Sequence, residues 1–371
     1  MSKKGRSHTS YKNTLPMHLP QIHGEEQGIQ NIVDGLVENS QVEELPFPNQ
    51  EEHSSEASKL LEEGIKYQQN GELTNAIESL QESLALFQAF GNIHKQAQTL
   101  SYLALVAYSS GDYKSAIAYS QQCLSTSYKD KFIDVSIKVQ ALSHLGNALR
   151  HTGKLEKAAE SLKECLQIAY QVGDKRSQVA ALNNLGLVYK ALNQIPQAIE
   201  YQEQSLKLIR ELEDKWGEEQ VLKNLGNTWY TIGEYTQASI YYEQCVKISQ
   251  SLHHHRNTSQ ILRNLGNANY ALGNYHKAIA YYQQRLVLVS KIKDFRGQEQ
   301  SLGSLGVACE ALGNYSKAIE YYEQRLELAR SIKDRRSEEQ SLTSLKVACY
   351  AVGDYSKAMK YEQQTAMQGD S

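Results

Sequence analysis

The sequence predicts an all-α fold, a superhelical solenoid of eight helical hairpins that follows a disordered N-terminal tail. Three observations support this prediction: a forty-residue repeat, apolar residues at helical spacing, and a tail whose composition differs from the rest. The repeat is visible in residues 264–286 and 304–326, which are identical at 16 of 23 positions.

A Leu-Gly pair marks the repeat and recurs at residues 145–146, 185–186, 225–226, 265–266 and 305–306. Three looser copies carry Gly64, Ala104 and Lys346 at the glycine position. Twelve residues after each of these eight positions stands an alanine: Ala76, Ala116, Ala158, Ala198, Ala238, Ala278, Ala318 and Ala358. The predicted repeats are about 57–96, 97–138, 139–178, 179–218, 219–258, 259–298, 299–338 and 339–371.

Each unit has two helical segments joined by a short turn, so we predict a helical hairpin. Pairs such as Gly273-Asn274, Gly313-Asn314 and Gly353-Asp354 combine a left-handed helix end with an N-cap for the second helix. Caps for the first helix of the following unit are predicted at Asp174, Asp214, Asp294 and Asp334. Both helices are then about 16 to 18 residues long, or about 25 Å.

The glycine of the Leu-Gly pair lies in the middle of the first helix, where glycine costs about 1 kcal/mol relative to alanine. The tertiary structure must therefore need the missing side chain, and we predict that the second helix packs closely there. A lone hairpin cannot bury both faces of its helices, so the units must stack.

Residues 1–56 are predicted to form a disordered acidic tail, and residues 57–371 form the solenoid. Four of the five prolines lie in the tail, and no Lys or Arg occurs between Asn13 and Ser58. The same interval contains nine acids: Glu25, Glu26, Asp34, Glu38, Glu43, Glu44, Glu51, Glu52 and Glu56. Such a segment buries too little apolar surface to offset its ordering entropy. Residues 29–39 have apolar side chains at helical spacing and could fold on a partner.

The composition argues against several classes of function. A net charge of −3 disfavours general affinity for nucleic acid. No apolar run approaches the roughly 20 residues that span a bilayer, and the first residues lack a secretory signal pattern, so we expect a cytoplasmic protein without membrane insertion. The five cysteines lack metal-type spacing and are expected to be reduced thiols at packing positions. We expect no cofactor.

Two further patterns favour a structural explanation over a functional one. His253, His254 and His255 occupy a loop between units, where a solvated turn is favoured over a metal site. Paired tyrosines such as Tyr281-Tyr282 recur on the second helix, where one ring of each pair should be buried and its neighbour partly exposed. The sequence has no nucleophile paired with a base and no phosphate-binding loop, so we do not expect an enzyme.

These residues resemble the tetratricopeptide repeat, whose pattern has Leu-Gly in the first helix and alanine at the start of the second. The resemblance covers residues 57–371, and the forty-residue period is similar to a long-helix subclass found in Pins-type spindle-orientation adaptors and bacterial multi-repeat proteins. It implies a right-handed superhelix that binds peptides or proteins on its concave face. Lys346, Arg285 and Arg325 depart from the family pattern, because they replace a glycine and two small residues.

The residues that vary between units are concentrated on one face of the first helix, which we call the polar stripe. It comprises the positions ten, six and three before and one and four after the Leu-Gly glycine, in units three to eight. In the tetratricopeptide repeat family this face lines the concave groove. Its thirty positions hold eight Lys or Arg and one acid, although the chain is net acidic. The predicted peptide-binding residues are Arg150, Arg176, Asn183, Lys190, Gln220, Lys223, Asn227, Tyr230, Arg256, Gln260, Arg263, Asn267, Tyr270, Arg296, Gln300, Arg336 and Gln340.

Arginine offers forked donors for carboxylates, and glutamine or asparagine can bind the backbone of an extended peptide. The predicted function is therefore a non-catalytic scaffold, monomeric or weakly oligomeric, for a protein or peptide with acidic segments. The chain's own tail, particularly residues 25–52, could occupy the groove. The alternatives are a peptide-gated regulator of the Rap type and an assembly factor for a membrane complex. A chaperone-type carboxylate clamp is matched only in part, since Gln300 and Ser304 stand at two of its places.

Overall fold

The structure is a computed structural model that describes residues 50–129 and 134–369, and these residues form sixteen α-helices and no strand. The helices alternate as first and second members of eight hairpins, which confirms the predicted all-α architecture. The first helices are α1 (Gln50–Asn70), α3 (Ile93–Ser110), α5 (Val135–His151), α7 (Lys175–Ala191), α9 (Lys215–Thr231), α11 (His255–Ala271), α13 (Phe295–Ala311) and α15 (Arg335–Ala351). The second helices are α2 (Leu73–Ala89), α4 (Tyr113–Lys129), α6 (Leu155–Gln171), α8 (Ile195–Glu211), α10 (Tyr235–Ser251), α12 (Tyr275–Lys291), α14 (Tyr315–Ser331) and α16 (Tyr355–Gly369).

The hairpins stack in chain order. From α2 onward each helix packs against the next, and the first helices of neighbouring hairpins, such as α5 and α7, also contact one another. Among the described helices, the second helices of neighbouring hairpins do not pack on each other to a similar extent. The first helices are therefore closer together, and they line the inner side of the solenoid.

The turns within the hairpins have the predicted geometry. Gly273, Gly313 and Gly353 have φ angles of 75°, 74° and 81°, the left-handed conformation that ends a helix. All four aspartate caps are confirmed, because each carboxylate accepts a hydrogen bond from the backbone N–H three residues later. One detail differs: Asn274 occupies the N-cap position of α12, but its side chain makes no capping bond.

Six described turns between hairpins reach the same left-handed conformation, and four of them do so with a residue other than glycine. Positive φ angles occur there at Gly91, Gly173, Glu213, His253, Lys293 and Lys333. A side chain in this conformation costs on the order of 1–2 kcal/mol. The stacking of neighbouring hairpins, more than local preference, therefore holds these turns in place.

The second helix packs closely against the mid-helix glycine, as predicted, and it does so through a large side chain sixteen residues later. A Cβ atom on Gly226 would lie 2.5 Å from Cε1 of Tyr242. Tyr242, Tyr282 and Tyr322 are buried, whereas the tyrosine that precedes each of them is partly exposed, as expected for the pairs. Because each ring fills the space above a glycine, it locks the first helix to the second within the hairpin.

The two positions of this contact vary together in size. Where the second hairpin has Ala104 in place of the glycine, the residue sixteen later is the small, buried Ser120. Where the last hairpin has Lys346, the residue sixteen later is the exposed Glu362, and Lys346 Nζ lies 3.4 Å from a carboxylate oxygen of Glu362. The lysine is accommodated because no ring needs the space.

All five cysteines are buried, as the packing interpretation predicts. The thiols of Cys123, Cys165 and Cys245 each donate to the carbonyl oxygen of the residue 26 positions earlier, on the first helix of the same hairpin. Burial raises the pKa of each of these three thiols to about 12. They are protonated packing groups at neutral pH.

The boundaries of the structure differ in detail from those predicted. The helix α1 begins at Gln50, before the boundary placed after residue 56, and Ala57 is the first residue described as buried. The polar residues before Ala57 extend the helix without an apolar signal in the sequence. From 97–138 onward, the predicted ranges start four residues inside the first helix of each hairpin. Residues 50–56 of the predicted disordered tail are thus helical, and residues 1–49, which include the helical island at residues 29–39, lie outside the described residues.

Candidate functional site

The polar stripe forms a continuous accessible face on the first helices of hairpins three to eight. None of its thirty positions is buried. The Leu-Gly pairs of the same helices, by contrast, are buried against the second helices. Since the first helices line the inner side of the solenoid, the stripe faces its concave groove.

The two arginines that depart from the family pattern extend from the second helices to the stripe. Arg285 of α12 donates from Nη2 to Oε1 of Gln300 at 2.9 Å, and Arg325 of α14 donates to Oε1 of Gln340 at the same distance. Arginine can only donate, so it fixes which end of each amide is the oxygen. The amide NH₂ groups of Gln300 and Gln340 are therefore left to serve as donors in the groove.

A lysine orients a third glutamine in the same way. Lys223 Nζ donates to Oε1 of Gln220 at 2.7 Å. The side-chain oxygens of two stripe asparagines also accept bonds inside the protein: Asn227 Oδ1 accepts from Tyr242 at 2.7 Å and Asn267 Oδ1 accepts from Tyr282 at 2.8 Å. The acceptor ends of these amides are occupied internally, which gives the groove an excess of hydrogen-bond donors.

A large pocket opens in the groove between α7 and α9, with a volume of about 1050 Å³. It brings together Arg176, Asn183 and Gln220 of the predicted residues. Trp216 also lines it and is 61% exposed. Trp216 lies on the stripe but is not among the predicted site residues, although a groove-facing tryptophan is a strong signal for a binding surface.

A second pocket of about 480 Å³ lies between α11 and α13. It brings together Arg263, Asn267, Tyr270 and Gln300 of the predicted residues. Six further residues complete the wall: Tyr282, Glu299, Gly303, Ser304, Val307 and Arg325. Gly303 and Val307 lie on the stripe but are not among the predicted site residues. The sequence pattern did not point to Glu299, which is not a stripe position, or to Arg325, which belongs to a second helix.

The remaining predicted residues lie along the same face outside these two pockets. Arg256 lines a smaller pocket of about 380 Å³ with Trp216 and His254. Lys190 donates to the backbone carbonyl of Asn227 at 2.9 Å, and burial lowers the pKa of this lysine. The others are Arg150, Lys223, Asn227, Tyr230, Gln260, Arg296, Arg336 and Gln340, so the seventeen residues form a track over six hairpins and not one compact site.

The carboxylate clamp is incomplete in the structure as in the sequence. Asn264 donates to Oδ1 of Asn227 at 3.2 Å. Gln300 and Ser304 line the pocket between α11 and α13, at positions where the clamp would need basic side chains. This arrangement does not supply the lysine and arginine charges that bind a free C-terminal carboxylate.

The three consecutive histidines form a turn between hairpins and do not converge. His253 has the left-handed conformation, and His254 Nδ1 lies 2.7 Å from Oε2 of Glu219, which is fully buried. No group of three or more potential metal ligands occurs within residues 50–129 and 134–369. In the same part of the chain, no helix has the length and apolarity required to cross a membrane.

Stacked two-helix hairpins with an accessible polar face on the first helices define a helical-repeat protein. The profile of the tetratricopeptide repeat matches residues 55–128, 138–211, 218–287 and 298–366, and the chain belongs to this family. No curated protein sequence matches the chain.

Solved structures with the same fold share little sequence with this chain. BtubC from P. vanneervenii is 21% identical with a TM-score of 0.51, over 67% of this chain and 93% of that one. A signal-transduction ATPase with a tetratricopeptide repeat sensor, from Pyrococcus horikoshii, is 17% identical with a TM-score of 0.61, over 86% of this chain and 53% of that one. The apo form of RapI is 17% identical with a TM-score of 0.54, over 75% of this chain and 99% of that one. At these identities the likeness is one of fold.

Proposed function

We propose that this chain is a non-catalytic scaffold for protein–protein interaction, acting in the cytoplasm, which binds an acidic segment of a partner in its concave groove. The tetratricopeptide repeat fold implies the interaction scaffold. The acidic character of the partner is inferred from one observation, the excess of donors along the polar stripe. Eight of its thirty positions are Lys or Arg, and three of its five glutamines, Gln220, Gln300 and Gln340, are held with their NH₂ groups free.

The expected affinity follows from the energies of such contacts. A hydrogen bond to a charged group contributes about 1.5–3 kcal/mol when water is excluded, and much less at an exposed position. Three or four engaged arginines therefore approach the roughly 8 kcal/mol of a micromolar complex. Exposed arginines such as Arg176 and Arg336 contribute mainly to the rate of association.

The proposal is tested with an amidated, fluorescein-labelled peptide of alternating Glu and Ser, titrated with the full chain and followed by fluorescence anisotropy. The eight acids of residues 25–52 are first changed to their amides so that the tail does not compete. We expect micromolar binding that weakens as salt is raised. A matched peptide with Gln in place of Glu should bind at least tenfold more weakly, and equal binding of the two peptides would contradict the acidic-partner proposal.

The acidic tail supports a regulatory version of the same function. Residues 25–52 contain eight acids and no Lys or Arg, so their charge is complementary to the stripe. If this segment occupies the groove, the native chain should bind the Glu-Ser peptide more weakly than the variant whose tail acids are changed to Gln or Asn. Equal affinities and equal salt dependence would rule out competition by the tail.

A second candidate is a peptide-gated regulator of the Rap type. This candidate is supported by the extent of the structural match to RapI, which covers 99% of the RapI chain. A gated regulator should change its radius of gyration in small-angle X-ray scattering when the peptide is added, whereas a rigid scaffold should not. Co-purification from the native host would distinguish both from an assembly factor for a membrane complex.

A further inference from the structure

Two arginines beside the pocket between α11 and α13 have no acidic partner among the described residues. Arg263 lines the pocket and makes no hydrogen bond or ion pair within that part of the chain. Arg285 is only 4% exposed, donates to Ser259 and Gln300, and leaves its Nη1 without a partner there. Arg325, by contrast, is neutralised by Glu299 at 2.6 Å.

The charge of Arg285 is held at an energetic cost. Burial, and next the neighbouring charge of Arg263, lower the pKa of Arg285 to about 10. A buried charge without an ionic partner is unfavourable. Five other hairpins have a small residue at this position: Ser83, Cys123, Cys165, Ser205 and Cys245. The fold therefore does not require the arginine here.

The space for a ligand group is created by Gly303, which replaces the larger residues found at this stripe position in other hairpins. A Cβ atom on Gly303 would lie 3.1 Å from Nε of Arg325 and would narrow the pocket. Gln300 lines the same pocket, with its oxygen bound to Arg285 and its NH₂ group free to donate. The pocket thus combines the charge of Arg263 with an oriented amide donor, and the buried charge of Arg285 lies behind that amide; neither arginine has an ion pair among the described residues.

We propose that this pocket binds the carboxylate of an acidic side chain, Asp or Glu, in the bound segment. The inference rests on the proposed function and identifies its anchoring position. Arg263 supplies a forked pair of donors at the rim, Gln300 supplies an amide donor, and the buried charge of Arg285 stabilises the carboxylate from behind Gln300. The carboxylate in turn provides the counter-charge that the two arginines lack.

The test uses the full chain in which the eight acids of residues 25–52 are changed to Gln or Asn, together with the Glu-Ser peptide described above. Gly303→Ala partly fills the pocket without changing charge, and Arg263→Gln removes one charge at its rim. Arg335→Gln is the matched control, because Arg335 is an exposed arginine that lies outside the polar stripe and does not line the pocket. We expect the affinity to fall about tenfold or more for the first two variants and less than about threefold for the control.

Thermal unfolding shows whether each variant is folded, and we expect Gly303→Ala to unfold at the same or a higher temperature because alanine favours the helix. Suppose that the wild type binds, that Arg263→Gln loses no more affinity than Arg335→Gln, and that Gly303→Ala loses none. The pocket is then not the anchor, while the groove proposal stands. If the Glu-Ser peptide does not bind the wild type, both proposals fail. Binding only of a peptide with a free C-terminus would also overturn the side-chain assignment.

Discussion

Gly226 and Tyr242 form the contact that holds the two helices of the fifth hairpin together. A Cβ atom added to residue 226 would lie only 2.5 Å from Cε1 of Tyr242. The hydroxyl of Tyr242 donates to Oδ1 of Asn227 at 2.7 Å. Gly226→Ala should lower the free energy of unfolding by about 1–2 kcal/mol, because the cost of overpacking exceeds the gain in helix propensity. Chemical denaturation measures this change.

Gly303→Ala is the control for this prediction, because only the flexible side chain of Arg325 lies near the new methyl group. It should leave the free energy of unfolding unchanged or raise it. Equal destabilisation by the two substitutions would mean that the Tyr242 contact is not the reason for the glycine.

Arg256 and Arg263 should be required for partner binding but not for folding. Arg256 is exposed and Arg263 is partly exposed on the polar stripe. Changing both to Glu should reduce the affinity for the Glu-Ser peptide by about 100-fold or more, since two charge-assisted contacts become repulsive. Circular dichroism should show an unchanged helix content. A folded double variant with intact binding would show that the polar stripe is not the binding surface.

The contact between Nδ1 of His254 and the carboxylate of Glu219 should contribute to stability. Glu219 is fully buried, and its Oε1 has no hydrogen-bond partner among the described residues. His254→Asp should destabilise the protein by on the order of 2–4 kcal/mol, because it places a second carboxylate beside a buried one. The double change with Glu219→Val reproduces the pair Val179 and Asp214 of the preceding hairpin, and it should recover the wild-type free energy of unfolding.

Failure of the double variant to recover would mean that His254 stabilises the turn by some route other than Glu219. Urea denaturation of the wild type, both single variants and the double variant completes the thermodynamic cycle.

His144 should make the protein less stable at acidic pH. Burial lowers the pKa of His144 from its ordinary 6.5 to about 4. Between these two pH values the unfolded chain binds a proton at His144 more readily than the folded chain does. The free energy of unfolding is therefore unaffected by His144 above pH 6.5 and falls as the pH decreases towards 4. The loss is about 3 kcal/mol at most.

Other groups titrate in the same range, so the prediction concerns the difference between two proteins. His144→Asn places the residue found at Asn184, Asn224 and Asn264 of the following hairpins. The free energy of unfolding should decline less steeply from pH 7 to pH 4.5 in this variant than in the wild type. Parallel curves would show that His144 does not carry the effect.

The repeat and its local structure could be predicted from the sequence alone. The Leu-Gly pairs, the turn glycines and the aspartate caps are local signals, and each acts within a few residues of its own position. They were sufficient to give eight hairpins, helices of the correct length and an accessible stripe. The likeness to the Pins-type subclass and the acidic character of the partner stay predictions.

The two pockets and their chemistry were decided by tertiary structure. Arg285 and Arg325 looked like departures from a packing pattern, but each crosses to the first helix of the next hairpin and orients a glutamine there. Glu299 pairs with Arg325, whereas Arg285 and Arg263 have no ion pair among the described residues.

The sequence by itself thus determined the repeat, the helices and which face of the first helix is accessible. Only the tertiary structure decided which charges on that face are neutralised and where Gly303 leaves a cavity. The physical reason is that helix signals depend on neighbours in the chain, whereas the pairing of charges depends on how side chains from adjacent hairpins meet when they stack.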